Sequence, residues 1–175
     1  MTHDTAKKAL ALAVLALLTG PTVFPVEKAG PSLPKDGRAT LDKECPGWRF
    51  AALAAEFRGL LGPGDSPEWI QGDYDGDGKP DYAAQIICPA SPSPAQKTVA
   101  LLRRAGGFER HTLESFGVGD YTFLHPIRKG EELYDFEQDR TMPSPRDAIM
   151  IVYEEKASVT HLFEKGAFHR MITAD

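Results

Sequence analysis

From Asp73 to Asp81 the chain reads Asp-Tyr-Asp-Gly-Asp-Gly-Lys-Pro-Asp, three carboxylates on alternate residues and a fourth four positions further on, with two glycines among them. No other stretch restricts the fold as tightly. Carboxylates this close repel one another by on the order of 1 kcal/mol per pair at intermediate dielectric, so the segment calls for positive charge at its centre. A hard cation such as Ca²⁺ takes six to eight oxygens at roughly 2.3–2.6 Å, and alternate aspartates in a tight turn bring such oxygens together. With Asp73 at position 1, Asp75 and Asp77 fall at 3 and 5, the backbone carbonyl of Lys79 at 7 and the side chain of Asp81 at 9. Gly78 occupies position 6, where the chain must turn sharply and a residue without a Cβ does so without a clash.

The spacing therefore predicts a calcium loop, the alternative being a solvated Asp/Gly turn that binds nothing. An EF-hand would continue to a glutamate at position 12 and be flanked by helices. Position 12 is Ala84, and Tyr82 to Cys88 is short, β-favouring and followed by Pro89. This loop is expected to lead into a strand.

Gly72 to Ala83, followed by Val99-Ala-Leu-Leu102 and Gly106-Gly107-Phe108, resembles one FG-GAP or VCBS-type repeat over about residues 70 to 112. In integrin-like β-propellers such a loop precedes one strand and a Gly-Phe turn ends the next. The resemblance implies Asp73, Asp75, Asp77, the Lys79 carbonyl and Asp81 as calcium ligands. Only one copy is present, and a propeller needs several blades, so the chain is not expected to be one.

Length and composition suit one compact domain plus a leader: 175 residues, 42% hydrophobic and 26% charged. Lys7-Lys8, an apolar run from Ala9 to Leu18, then Thr19-Gly20-Pro21 resembles a secretory signal peptide, expected over residues 1–22. Ten apolar residues are too few for a membrane span, which needs about 20. The alternatives are an uncleaved N-terminal anchor and an ordinary buried helix. Loss of the leader, with two lysines and one aspartate, takes the net charge from −5 to −6. The mature protein is acidic and its basic residues are scattered, so no nucleic-acid-binding stripe is visible. Its expected location is exported, periplasmic or secreted.

Residues 23–46, rich in Pro and Gly, read as a linker, and 47–175 as the globular domain. Cys45 and Cys88 are the only cysteines. In an oxidising compartment they would form one disulfide, stabilising by about 3–4 kcal/mol if unstrained, against the alternative of two separate thiols.

Trp48 to Leu61 carries Leu53, Phe57, Leu60 and Leu61 at helical spacing, which predicts one amphipathic helix packed on a sheet, ended by Gly62-Pro63-Gly64. Beyond Trp69 the signals are β: Tyr82 to Cys88, Lys97 to Arg104, Phe108 to Leu113, then Asp147 to Tyr153, Ala157 to Phe163 and Ala167 to Ile172. The fold class expected is α+β, a mostly antiparallel β-meander with one N-terminal helix. The tail from Asp147 to Asp175 is loosely similar to the ends of small, exported, single-repeat bacterial proteins, a likeness that supplies no activity.

His111, His125, His161 and His169 are the candidates for catalysis, but the sequence has no GxSxG, HExxH, Walker loop or GxGxxG after a strand. Two functions compete. One is a non-enzymatic calcium-binding module that meets an extracytoplasmic protein or glycan partner. The other is a small secreted hydrolase with a structural calcium and a dispersed His/carboxylate site.

Overall fold

The structure is a computed structural model that describes residues 32–89, 94–119, 121–154 and 157–174. The expected signal peptide of residues 1–22 lies outside the described residues, as does the start of the expected linker.

Among the described residues the one α-helix, α1 (Lys35–Glu44), is followed by β1 (Arg49–Phe50), a 3-10 helix (Ala55–Leu60) and ten further strands. These are β2 (Trp69–Gly72), β3 (Asp81–Cys88), β4 (Ala95–Arg104), β5 (Gly107–Gly117), β6 (Thr122–Ile127), β7 (Glu132–Asp135), β8 (Arg140–Pro143), β9 (Ala148–Tyr153), β10 (Ala157–Glu164) and β11 (Ala167–Ala174). Every strand pairing is antiparallel. The first sheet runs β1-β3-β4-β5, with β2 also on β3; the second runs β11-β10-β9-β6; β7 and β8 form a separate hairpin. Neither large sheet closes on itself.

Burial explains the layering. All eight residues of β3 are buried, because both faces of the first sheet are covered. Tyr82, Ala84 and Ile86 face a cluster with Leu33, Leu41 and Val99, beneath α1. Ala83, with Ala100 and Leu102, packs instead against Leu124, Ile149, Ile151 and Phe163 of the second sheet. The far face of that sheet presents Ile127, Ala148 and Leu162 to Leu133 of the β7–β8 hairpin. The chain thus stacks helix, sheet, sheet and hairpin.

The fold class matches the expectation, but the helix lies elsewhere. It falls in the segment read as linker, while Trp48 to Leu61 is no α-helix. Pro34 immediately before the first turn and Asp36 within it favour a helix start there. Leu41 and Gly37 are buried, and a Cβ on Gly37 would stand 3.5 Å from Leu101 and Phe108. The following segment is held extended by neighbours distant in sequence. Arg49 and Phe50 pair with Ile87 and Ile86, and the Ala51 N–H donates to Gln85 O at 2.9 Å. Ala51 and Leu53 are then buried on either side of exposed Ala52, a period of two, and Leu60 is 49% exposed.

The expected disulfide is formed. Cys45 follows α1, Cys88 ends β3, and their Cα atoms are 5.7 Å apart. The bridge pins the helix to the sheet beside β1. Among the described residues no helix is long and apolar enough to cross a membrane.

Candidate metal site

The Asp73–Pro80 segment is the loop of the β2–β3 hairpin, closed where Gly72 pairs with Asp81. Gly76 and Gly78 take φ of 78° and 80°, the left-handed conformation that glycine adopts without strain. Gly72 has a second reason to be glycine: a Cβ there would stand 2.5 Å from the Tyr74 ring. Tyr74 is fully buried under the loop, and its hydroxyl has no partner among the described residues.

Asp73, Asp75 and Asp81 each offer a carboxylate oxygen, and these three atoms lie within 4.8 Å of one another. Asp81 is wholly buried. Its Oδ2 accepts N–H bonds from Tyr74 at 3.0 Å and Asp75 at 3.4 Å, and its Oδ1 accepts that of Arg103 at 2.7 Å, so it staples loop to β4. Burial pushes its carboxyl up to about 6, with Asp75 adding repulsion, against the lowering effect of those N–H donors. Asp73 Oδ2 accepts the Gly78 N–H at 3.1 Å, while its Oδ1 is buried without a partner among the described residues.

The Asp77 carboxylate and the Lys79 ammonium are not part of this cluster. They pair with each other on the exposed side of the loop, Lys79 Nζ at 2.7 Å from Asp77 Oδ2, with the Lys79 N–H on Oδ1 at 2.9 Å. The lysine lowers the Asp77 carboxyl, and the aspartate raises the ammonium. The strong local cation explains why this carboxylate does not converge with the other three.

Three cationic side chains and a fifth aspartate complete the surroundings. Arg104 Nη1 grips Asp75 Oδ2 and its Nε reaches Glu109. Arg146 Nη1 donates to the Asp75 carbonyl at 2.8 Å. Asp147 accepts the Asp73 N–H at 3.1 Å, the Lys129 N–H at 3.0 Å and Arg128 Nη1 at 3.2 Å. Two clefts flank the loop, one of about 230 Å³ between Asp73, Asp75, Lys129, Arg146 and Asp147, the other of about 620 Å³ between Asp73, Lys79, Arg128 and Asp147. Sequence reasoning missed Asp147 and the arginines, which lie up to 74 residues from the atoms they hold. The only local signal was that four carboxylates require positive neighbours.

The donor set is all oxygen. Without imidazole or thiolate it suits a hard divalent cation better than zinc or copper.

The histidines are dispersed. His161 pairs with Arg170 and His169 with Leu162, so the two imidazoles point to opposite faces of the second sheet. His125 Nδ1 lies 2.5 Å from Asp65 Oδ1. His169 shares a cavity of about 220 Å³ with Asp135, Glu137 and Glu164. His111 packs edge-on to Phe163 and Phe168.

Compared with protein-family models, with characterised proteins and with solved structures, the chain matches none of them.

Proposed function

We propose that the protein is a calcium-binding structural or interaction module of the extracytoplasmic space, without catalytic activity of its own. The convergence of Asp73, Asp75 and Asp81 oxygens within 4.8 Å carries this reading. Supporting it, Asp81 is buried at the base of the cluster and Asp73 keeps one buried oxygen without a partner among the described residues. A bound cation would relieve both. The likeness of residues 70–112 to an FG-GAP or VCBS-type repeat favours Ca²⁺, and the Cys45–Cys88 bridge favours an oxidising compartment. The clefts on either side of the loop are where a protein or glycan partner would meet it.

Calcium titration tests the reading. A ligand bound only by the native state stabilises by RT ln(1 + [L]/Kd), about 2.7 kcal/mol at a hundredfold excess over Kd. For a domain of this size that raises Tm by roughly 5–10 °C. An unchanged Tm between millimolar Ca²⁺ and chelator refutes the site. Tb³⁺ emission sensitised by Tyr74, displaced by Ca²⁺ and not by equimolar Mg²⁺, identifies the ion.

A further inference from the structure

Two consecutive residues at the entry to β9 reach across to the loop. Asp147 accepts the main-chain N–H of Asp73, and Arg146 donates to the main-chain carbonyl of Asp75. These are two of the three clustered residues. The third, Asp81, is held from the first sheet by the Arg103 N–H. The cluster is therefore assembled from both sheets.

Asp147 also serves the corner between β6 and β7. Its Oδ1 takes the Lys129 N–H and its Oδ2 takes Arg128 Nη1, while the same Arg128 nitrogen donates to Gln71 O at 3.0 Å, just ahead of the loop. One carboxylate, only 17% exposed, thus joins the first position of the loop to a corner more than 50 residues away.

We propose that Asp147 is the positioning residue of the metal site, and that through it cation occupancy clamps the β2–β3 loop to the β6–β7 corner and the start of β9. This rests on the calcium reading above. Asp147 lies outside the three-carboxylate cluster; it fixes the backbone from which Asp73 projects. Without that acceptor the Asp73 N–H loses its partner, and the Asp73 carboxylate is free to turn from the other two. Partners that orient a metal ligand typically change affinity 10–100-fold when removed. Linkage makes the effect reciprocal: if docking of the corner favours the cation, the cation favours docking of the corner.

Amide hydrogen exchange on the full exported chain tests this with no mutation. Calcium should slow exchange at Asp73 and also at Lys129. Protection confined to residues 73–81, with Lys129 unchanged, overturns the clamp. In a second arm, Tb³⁺ titration of Asp147→Ala, which removes the acceptor of the Asp73 and Lys129 N–H groups, checked for native far-UV circular dichroism, should show affinity at least tenfold weaker than wild type. At saturating ion its Lys129 amide should gain no protection. Wild-type affinity in Asp147→Ala overturns the positioning role while leaving the calcium site standing. Absence of binding by wild type refutes the site itself, and the clamp with it. If Asp147→Ala does not fold, Arg146→Ala, which removes the donor to the Asp75 carbonyl, carries the same expectation of weakened affinity.

Discussion

At the scale of single residues, the loop divides into atoms that converge and atoms that do not. Asp81→Asn removes a charge from the buried base of the cluster, and it should abolish the calcium-dependent rise in Tm. Asp77→Ala removes a carboxylate already paired with Lys79. It should keep most of that rise, and equal losses in the two variants would show that Asp77 joins the cluster when the ion binds. Tyr74 supplies an independent check on the packing beneath. Its hydroxyl is buried and unpartnered among the described residues, and an unsatisfied buried group of this kind costs about 1–3 kcal/mol. Tyr74→Phe should therefore hold or raise the Tm measured in chelator. Gly72→Ala should lower the stability by about 1–3 kcal/mol, because its methyl must displace the same ring. The aspartates were legible in sequence because metal loops are local, and their spacing maps onto neighbouring positions. Asp147, Arg104 and Arg146 were not, since they reach the loop only through sheet packing.

At the scale of elements, local apolar spacing and tertiary contact disagreed once, over where the helix lies. Leu53, Phe57, Leu60 and Leu61 have helical spacing, yet the Cys45–Cys88 bridge and the pairing of Phe50 with Ile86 hold the start of that segment along β3. Lys35–Glu44 looked like linker because it has a single large apolar residue and is preceded by prolines. That one residue, Leu41, is completely buried. Leu41→Ala should cost about 2–5 kcal/mol in denaturant unfolding. Leu60→Ala, at a half-exposed position, should fall within about 0.5 kcal/mol of wild type. The reverse order would return the helix to Trp48–Leu61. Opening the disulfide, whose ends are 43 positions apart in the sequence, should cost about 4 kcal/mol in the chain-entropy account. Comparison of Cys45→Ala/Cys88→Ala with wild type by the same method gives the value.

At the scale of the whole molecule, the strands of the final meander were legible because turn residues separate short apolar runs, and the observed hairpins fall where those runs do. Which sheet each face meets was not legible: period two says that a strand has two faces and not what covers them. His161 shows the consequence. In sequence it was one of four unplaced histidines; in the fold it is 3% exposed, on the face of β10 turned toward the first sheet. Its Nε2 is 3.3 Å from Glu114 on β5, its cross-strand neighbour on β11 is Arg170, and Ile149 lies beside it on β9. Burial holds the imidazole below its ordinary value, and Arg170 adds to this while Glu114 opposes it. With the native state keeping His161 neutral, the unfolded chain takes up the proton first as pH falls below about 6.5. Stability contributed here is complete above that pH and declines on acidification, at no more than about 1.4 kcal/mol per pH unit for one proton. His161→Leu should remove that component of the slope, leaving a smaller loss of stability between pH 7 and 5 than in wild type. Identical slopes in the two proteins, measured by denaturant unfolding in saturating calcium, would mean that the proton is taken up equally by both states and that the joint between the sheets admits a charged imidazole.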